Sequence, residues 1–120
     1  VDDDPNDLRL FGRMLSEHGH YHPTLAEGGR NGWESIQARA PHAVILDLFM
    51  PGLDGFTILE RMRSSDKLRD IPVIVVSGGD LTPEQQQQLQ EFGQRMVQKS
   101  ALTQTQLVAA LERTLERAKK

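Results

Sequence analysis

The sequence predicts a single α/β domain in which helices cover both faces of a parallel β-sheet. Residues 43–47 and Val73–Ser77 are continuous apolar runs that each end in one polar residue. Uninterrupted apolar runs are typical of strands buried on both faces. Segments with helical periodicity lie before, between and after these runs. This alternation favours parallel strands joined by crossover helices, which is the doubly wound arrangement.

The first part of the chain is predicted to hold a helix and a short strand. Asp4 and Pro5 form a strong helix start, because Asp accepts hydrogen bonds from free N–H groups and Pro is tolerated at the first helical position. The apolar spacing extends this helix to about Ser16 or His18, and Gly19 ends it. Residues 21–26 predict a second strand near a sheet edge, since a proline interrupts it.

Four further helices are predicted, each with a recognisable start or a clear apolar period. Their first turns follow Gly28-Gly29, Asp54, Thr82 and Lys99. Residues 95–98 predict a short strand between the last two helices. Strand and helix alternate five times if a first strand, truncated at Val1, is counted. We therefore expect one domain, residues 1–120, taken from a longer protein.

The composition limits the classes of function that need to be considered. A chain of 120 residues with a net charge of -3 offers no electrostatic reason to bind nucleic acid or an anionic membrane. No apolar run approaches the roughly 20 residues that span a bilayer. Cysteine is absent, which excludes disulfides and thiolate metal sites within this sequence. We expect a cytoplasmic protein that contacts neither nucleic acid nor membrane through this domain.

Polar residues fall where the predicted strands end, and they suggest one site. They are Asp2, Asp3, Asp47, Ser77 and Lys99. The carboxyl ends of parallel strands share one rim, so these side chains should converge. Three carboxylates repel one another unless a cation lies among them, and oxygen ligands without His or Cys favour Mg²⁺ or Mn²⁺. With an ammonium and a hydroxyl nearby, the site suits transfer of a phosphoryl group onto Asp47.

Four pieces of the sequence resemble the receiver domains of two-component response regulators. They are Val1-Asp-Asp-Asp-Pro5, Leu46-Asp-Leu-Phe-Met-Pro-Gly-Leu-Asp-Gly55, Val73-Ile-Val-Val-Ser-Gly78 and Lys99. Their order and spacing match the family over essentially the whole chain. The resemblance implies a flavodoxin-like receiver fold, with a five-stranded parallel sheet of order 2-1-3-4-5 and five helices.

The resemblance also implies a phosphoacceptor and a metal site. Asp47 would take a phosphoryl group from a histidine kinase or a histidine phosphotransfer protein. Asp2 and Asp3 would be the acidic pair around Mg²⁺. Asp47 and the backbone carbonyl of Phe49 would complete the ligands from the protein.

Two positions near the residues that would contact the phosphoryl group differ from the usual family pattern. Ser77, Gly78 and Lys99 match the phosphate-binding and switch positions. Met96 stands at a switch-region position where many members carry an aromatic residue. Ser100 stands where the family usually has a proline after a cis bond. Because a cis bond before a non-proline residue costs about 3 kcal/mol, we expect a trans bond here.

The resemblance implies a signalling switch rather than an enzyme with turnover. A phosphohydrolase working through an aspartyl phosphate would normally need a second acid two residues after Asp47, where Phe49 stands. The alternative is a degenerate receiver that acts as a protein-binding module, because Met96 and Ser100 alter the output step. An output domain or partner protein is expected to contact the fourth helix, fifth strand and fifth helix. A homodimer stays open.

Overall fold

The sheet is parallel, as the two apolar runs predict. A computed structural model describes residues 1–19, 21–94 and 96–118 of the chain. Within these residues the strands are β1 (Val44–Asp47), β2 (Val73–Ser77) and β3 (Met96–Gln98), in the order β1-β2-β3. β2 is central and every one of its residues is buried. Both strands that were predicted from apolar runs are confirmed.

Helices cover both faces of this sheet. The helices of the described residues are α1 (Pro5–His18), α2 (Gly29–Arg39), α3 (Gly55–Arg63), α4 (Pro83–Glu91) and α5 (Gln104–Ala118). Ile74 and Val76 of β2 belong to the apolar cluster that includes residues of α1 and α5. Val73 and Val75 belong to the cluster on the other face, with residues of α2, α3 and α4. Alternate side chains of β2 therefore hold two helical layers.

Three of the predicted helix starts, at Asp4, Asp54 and Thr82, are confirmed by capping hydrogen bonds. The backbone N–H of Asn6 donates to Asp4 Oδ1 at 2.8 Å, and that of Thr57 donates to Asp54 Oδ1 at 2.9 Å. Thr82 and Gln85 form a reciprocal capping box at the start of α4. These caps fix where the loops after each strand end, and hence the rim on which the polar residues lie.

The predicted strand at residues 21–26 is wrong in this structure. The segment forms no strand, and its pairing is reduced to one bridge between Asp2 and Glu27. A strand persists only where a neighbour supplies backbone partners, and here Val1 and Asp2 alone lie alongside. The described residues therefore hold only the last three strands of the order 2-1-3-4-5.

An apolar cleft of about 740 Å³ lies beside Val1 and Asp2. Its walls are side chains of α1, α2, β1 and the segment before α2, including Leu8, Phe11, Ile36 and Val44. Val1 already pairs with β1, because the Asp47 N–H donates to the Val1 carbonyl at 2.9 Å. A first strand in front of Val1 would continue this pairing along β1. That the chain comes from a longer protein with such a strand stays a prediction.

An apolar four-residue extension in front of Val1 should stabilise the fold by roughly 2 kcal/mol, because it would pair with β1 and fill the cleft. The measurement is thermal unfolding of the extended chain against the same chain with a Gly-Ser-Gly-Ser extension. Equal melting temperatures for the two extensions would mean that the cleft does not accept a strand.

Candidate functional site

The polar residues at the strand ends meet on one rim of the sheet. Asp47 is the last residue of β1, and Lys99 directly follows β3 in a 3₁₀ turn, Lys99–Ala101. Asp2 is placed by backbone bonds, since its N–H donates to the Ala26 carbonyl at 3.2 Å and its carbonyl accepts from Gly28 at 2.9 Å. Backbone pairing therefore brings the main chains of Asp2 and Asp47 close together before any side-chain contact is counted.

Gly55 allows the loop after β1 to fold back against the strand end. Its N–H donates to the Leu48 carbonyl at 2.9 Å. A Cβ at this position would lie 2.3 Å from the Asp47 carbonyl oxygen, too close for any L side chain. The first residue of α3 thus needs to be glycine, and this close approach holds the Asp47 backbone in place.

Three carboxylates form a cluster that fits a hard cation. One oxygen each of Asp2, Asp3 and Asp47 lies within 4.8 Å of the others. Asp2 and Asp47 are buried, whereas Asp3 is exposed. Asp2 Oδ2 is buried and accepts no well-oriented hydrogen bond from the described residues, although Lys99 lies close to it. A set of three carboxylates that offers only oxygen ligands suits Mg²⁺ or Mn²⁺.

Lys99 neutralises part of this negative charge. Its Nζ lies 2.7 Å from Asp2 Oδ2, 3.0 Å from Asp7 Oδ2 and 3.3 Å from Asp47 Oδ2. Burial opposes its charge, but the contacts with Asp2 and Asp7 outweigh burial and raise the pKa of Lys99 above its usual value. The lysine is therefore a fixed positive charge at the centre of the site.

Asp47 carries an unfavourable charge in the folded chain. Burial raises its pKa from 3.8 to about 6, and the Asp2 carboxylate adds to the rise. Lys99 and the N–H of Phe49, which donates to Asp47 Oδ1 at 3.3 Å, lower it again. A carboxylate that is costly to ionise beside a lysine and two more carboxylates is typical of a functional site rather than of a structural ion pair.

Ser77 and Gly78 lie at the end of the neighbouring strand. Asp47 pairs with Val76, so Ser77 is one residue further along the rim. The Ser77 hydroxyl is turned into its own loop, where it donates to the Gly79 carbonyl and accepts from the Gly79 N–H, both at 3.1 Å. A Cβ on Gly78 would lie 4.0 Å from Lys99 Cδ. Gly78 is therefore beside the lysine stem, and no contact joins the Ser77 hydroxyl to Asp47.

The positions that depart from the family pattern lie around this cluster. The Lys99–Ser100 peptide bond is trans, as expected. Met96 is partly buried, pairs with Val75 and packs against the apolar core rather than against the carboxylates. The Phe49 side chain is 40% exposed and meets Phe56 edge to face. It brings no acid to the site.

Asp7 is the site residue that the sequence analysis missed. It lies in the first turn of α1, where an acidic residue is explained by the helix dipole alone. Helical spacing gave no signal for it, because Asp7 lies within α1 whereas Asp2 and Asp3 precede the N-cap Asp4. Its contact with Lys99, 92 positions away, depends on tertiary structure.

A parallel α/β sheet with carboxylates and a lysine at its strand ends defines a class of phosphoacceptor-type domains, and comparison with known proteins identifies the family. The sequence model of the family described as "response regulator receiver domain" matches residues 1–112 of this chain. Protein PilH of Pseudomonas aeruginosa is 35% identical over 80 residues, which are 67% of this chain and 65% of PilH. The chain thus spans less than two thirds of that relative, and 36% of the response regulator Rre1 of Synechocystis.

Solved structures agree with this assignment. The N-terminal domain of a response regulator receiver protein from Methanoculleus marisnigri is 36% identical with a TM-score of 0.72, over 96% of this chain and 92% of that one. The signal receiver domain of a signal transduction histidine kinase from Syntrophus aciditrophicus is 25% identical with a TM-score of 0.86, over 100% and 89%. The chain belongs to the response regulator receiver domain family, and its fold is the flavodoxin-like receiver fold.

Membership of the family gives the general role of the chain. Receiver domains are signalling switches of two-component systems, are generally not classed as enzymes, and interact with histidine kinases and output domains. The family typically uses Mg²⁺ at an acidic cluster, and this chain has such a cluster. In the part of the chain that the structure describes, no helix is both long and apolar enough to cross a bilayer.

Lys99→Met should lower the free energy of unfolding by about 3 kcal/mol at neutral pH, because it leaves buried carboxylates without their cation. Urea unfolding in buffer without divalent ions measures this loss. Protonation of Asp47 relieves the repulsion, so the deficit should shrink as the pH falls through the raised pKa of Asp47. The exposed Lys67→Met is the matched control and should cost little. A similar loss in both variants would contradict a central role for Lys99.

Proposed function

We propose that Asp47 is the phosphoacceptor of a Mg²⁺-dependent signalling switch. The observation that carries this proposal is the buried Asp47 carboxylate, held at the end of β1 beside two more carboxylates and the Lys99 ammonium. A carboxylate oxygen of Asp47 would bond to phosphorus while the bond from phosphorus to the donor breaks. With a phosphohistidine donor, the departing ring nitrogen keeps the electron pair of that bond.

The metal site of this proposal consists of Asp2, Asp3, Asp47 and the backbone carbonyl of Phe49. The close spacing of the three carboxylates supports it. When bound, Mg²⁺ neutralises charge on the phosphoryl oxygens, and Mn²⁺ has suitable ligand preferences too. The carboxylates orient the ion, and the Phe49 N–H holds one oxygen of Asp47 in position.

Lys99, Ser77 and Gly78 would receive the phosphoryl oxygens. The Lys99 ammonium is near Asp47 in the unphosphorylated chain and supplies a fixed positive charge. The Ser77 hydroxyl would have to leave the Gly79 carbonyl before it could donate to a phosphoryl oxygen. Gly78 lies beside the lysine stem, where an added Cβ would still be 4.0 Å from Lys99 Cδ.

A degenerate receiver that only binds a partner is the second candidate function. Met96 and Ser100 favour it, because both alter the region through which the family transmits the switch. Asp3, Asp47 and Lys99 favour phosphorylation instead, since each required charge is present. We propose that the site accepts phosphate and that transmission past Met96 is the altered step.

The proposed partners follow from the family. The phosphodonor is a histidine kinase or a histidine phosphotransfer protein, and an output domain or partner protein would contact α4, β3 and α5. The same surface could support a homodimer. We propose a cytoplasmic location, with no contact to nucleic acid or membrane through this domain. These statements extend to the longer protein of which the chain is proposed to be the receiver domain.

The central experiment compares the wild-type chain with Asp47→Asn after incubation with acetyl phosphate and Mg²⁺. The wild type should gain the mass of one phosphoryl group by intact mass spectrometry, and Asp47→Asn should gain none. Asp54→Asn is the matched control, because asparagine is an equally good N-cap and Asp54 lies outside the site. Asp47 is not the acceptor if the wild type gains no phosphoryl mass, or if Asp47→Asn gains as much.

Mg²⁺ should stabilise the wild-type chain by about 2.7 kcal/mol at a concentration one hundred times its dissociation constant. Asp2→Asn should lose most of this Mg²⁺-dependent shift, measured as the melting temperature with and without the ion. The shift is the readout, because Asp2→Asn also relieves repulsion in the metal-free chain. Asp66→Asn, at an exposed carboxylate on the loop after α3, should keep the full shift. Equal shifts in the two variants would rule out Asp2 as a ligand.

A further inference from the structure

Asp7 makes a contact that the proposed phosphoacceptor role does not need. Its Oδ2 accepts a hydrogen bond from Lys99 Nζ at 3.0 Å, shorter than the 3.3 Å bond from Lys99 to Asp47. The contact joins the first turn of α1 to the turn after β3. Lys99 is therefore held from two sides of the site before any phosphoryl group arrives.

Three carboxylate oxygens surround the lysine ammonium, and those of Asp7 and Asp47 accept hydrogen bonds from it. A lysine ammonium has three N–H donors, and Asp2, Asp7 and Asp47 each place one oxygen within 3.3 Å of Nζ. A phosphoryl oxygen on Asp47 would have to compete with these carboxylates for the lysine. The unphosphorylated site therefore holds Lys99 among three acceptors of negative charge, two of which are hydrogen-bonded to it.

Exposure decides which contact is released most easily. The Asp7 side chain is 33% exposed, whereas those of Asp2 and Asp47 are 2% and 4% exposed. A carboxylate that loses its cation is costly when buried and much less so when water can solvate it. Asp7 can turn to solvent, while the other two cannot without opening the core.

We infer that Asp7 is a positioning residue that holds Lys99 in the unphosphorylated chain and releases it when Asp47 takes the phosphoryl group. The inference rests on the proposed function of Asp47. It assigns to Asp7 a restraint on the reaction, because breaking its contact with Lys99 is part of the cost of phosphorylation. A chain without this contact should reach the phosphorylated form faster.

The test is the rate of phosphorylation by acetyl phosphate and Mg²⁺, followed by intact mass over a range of donor concentrations. Asp7→Asn keeps the shape of the side chain and removes its charge. Its rate constant at saturating donor should rise about fivefold, the size expected for loss of one partly exposed ion pair. Asp7→Glu restores the charge and should stay within about twofold of the wild type. A purely structural role for Asp7 would move the melting temperature but not this rate constant.

Asp80→Asn is the control for charge alone. Asp80 lies in the loop after β2, and an asparagine there can still accept the hydrogen bond from Gln98. If the loss of a negative charge only helped the anionic donor to approach, Asp7→Asn and Asp80→Asn would both lower the half-saturating donor concentration. Neither would then change the rate constant at saturating donor.

The outcomes separate the two proposals. If the wild type is phosphorylated but Asp7→Asn is no faster at saturation, the inference about Asp7 is wrong and the role of Asp47 stands. If neither chain is phosphorylated, the proposed function fails and the inference falls with it.

Discussion

The contact of one ammonium with three carboxylates is the interaction on which the site depends. Lys99 contacts Asp2 before α1, Asp7 within α1 and Asp47 at the end of β1. It therefore links three parts of the chain through their side chains. Without the cation, buried carboxylates would face one another in a medium that screens charge poorly. The lysine therefore allows the rim to gather negative charge at a depth where two oxygen-bearing side chains are almost fully buried.

The same contacts place a stability cost on the carboxylates of this rim. Burial raises the pKa of Asp47, so the folded chain holds an ionised carboxylate there only at a cost. Asp2 Oδ2 lies 2.7 Å from Lys99 Nζ but lacks a well-oriented hydrogen bond from the described residues. One lysine among three carboxylates thus leaves an excess of negative charge, at the expense of the stability that a fully paired rim would have.

Sequence patterns predicted those features that depend on local physics. Apolar runs predicted β1 and β2, and the capping residues Asp4, Asp54 and Thr82 predicted helix starts, because both signals act within a few residues. The strand at residues 21–26 failed because a strand depends on its neighbour, and only Val1 and Asp2 lie beside it. Asp7 was missed for a similar reason, since its role depends on Lys99, which reaches it only after the sheet has formed.

The Gly79 carbonyl accepts hydrogen bonds both from a residue of the site and from a residue of β3. It accepts a hydrogen bond from the Ser77 hydroxyl at 3.1 Å and another from Gln98 Nε2 at 3.3 Å. Gln98 also donates to Asp80 Oδ1 at 3.1 Å, so polar contacts tie the loop after β2 to the end of β3. The Met96 side chain, also in β3, packs against the apolar core. Any turn of the Ser77 hydroxyl toward Asp47 therefore removes one of two hydrogen bonds from a carbonyl that β3 also holds.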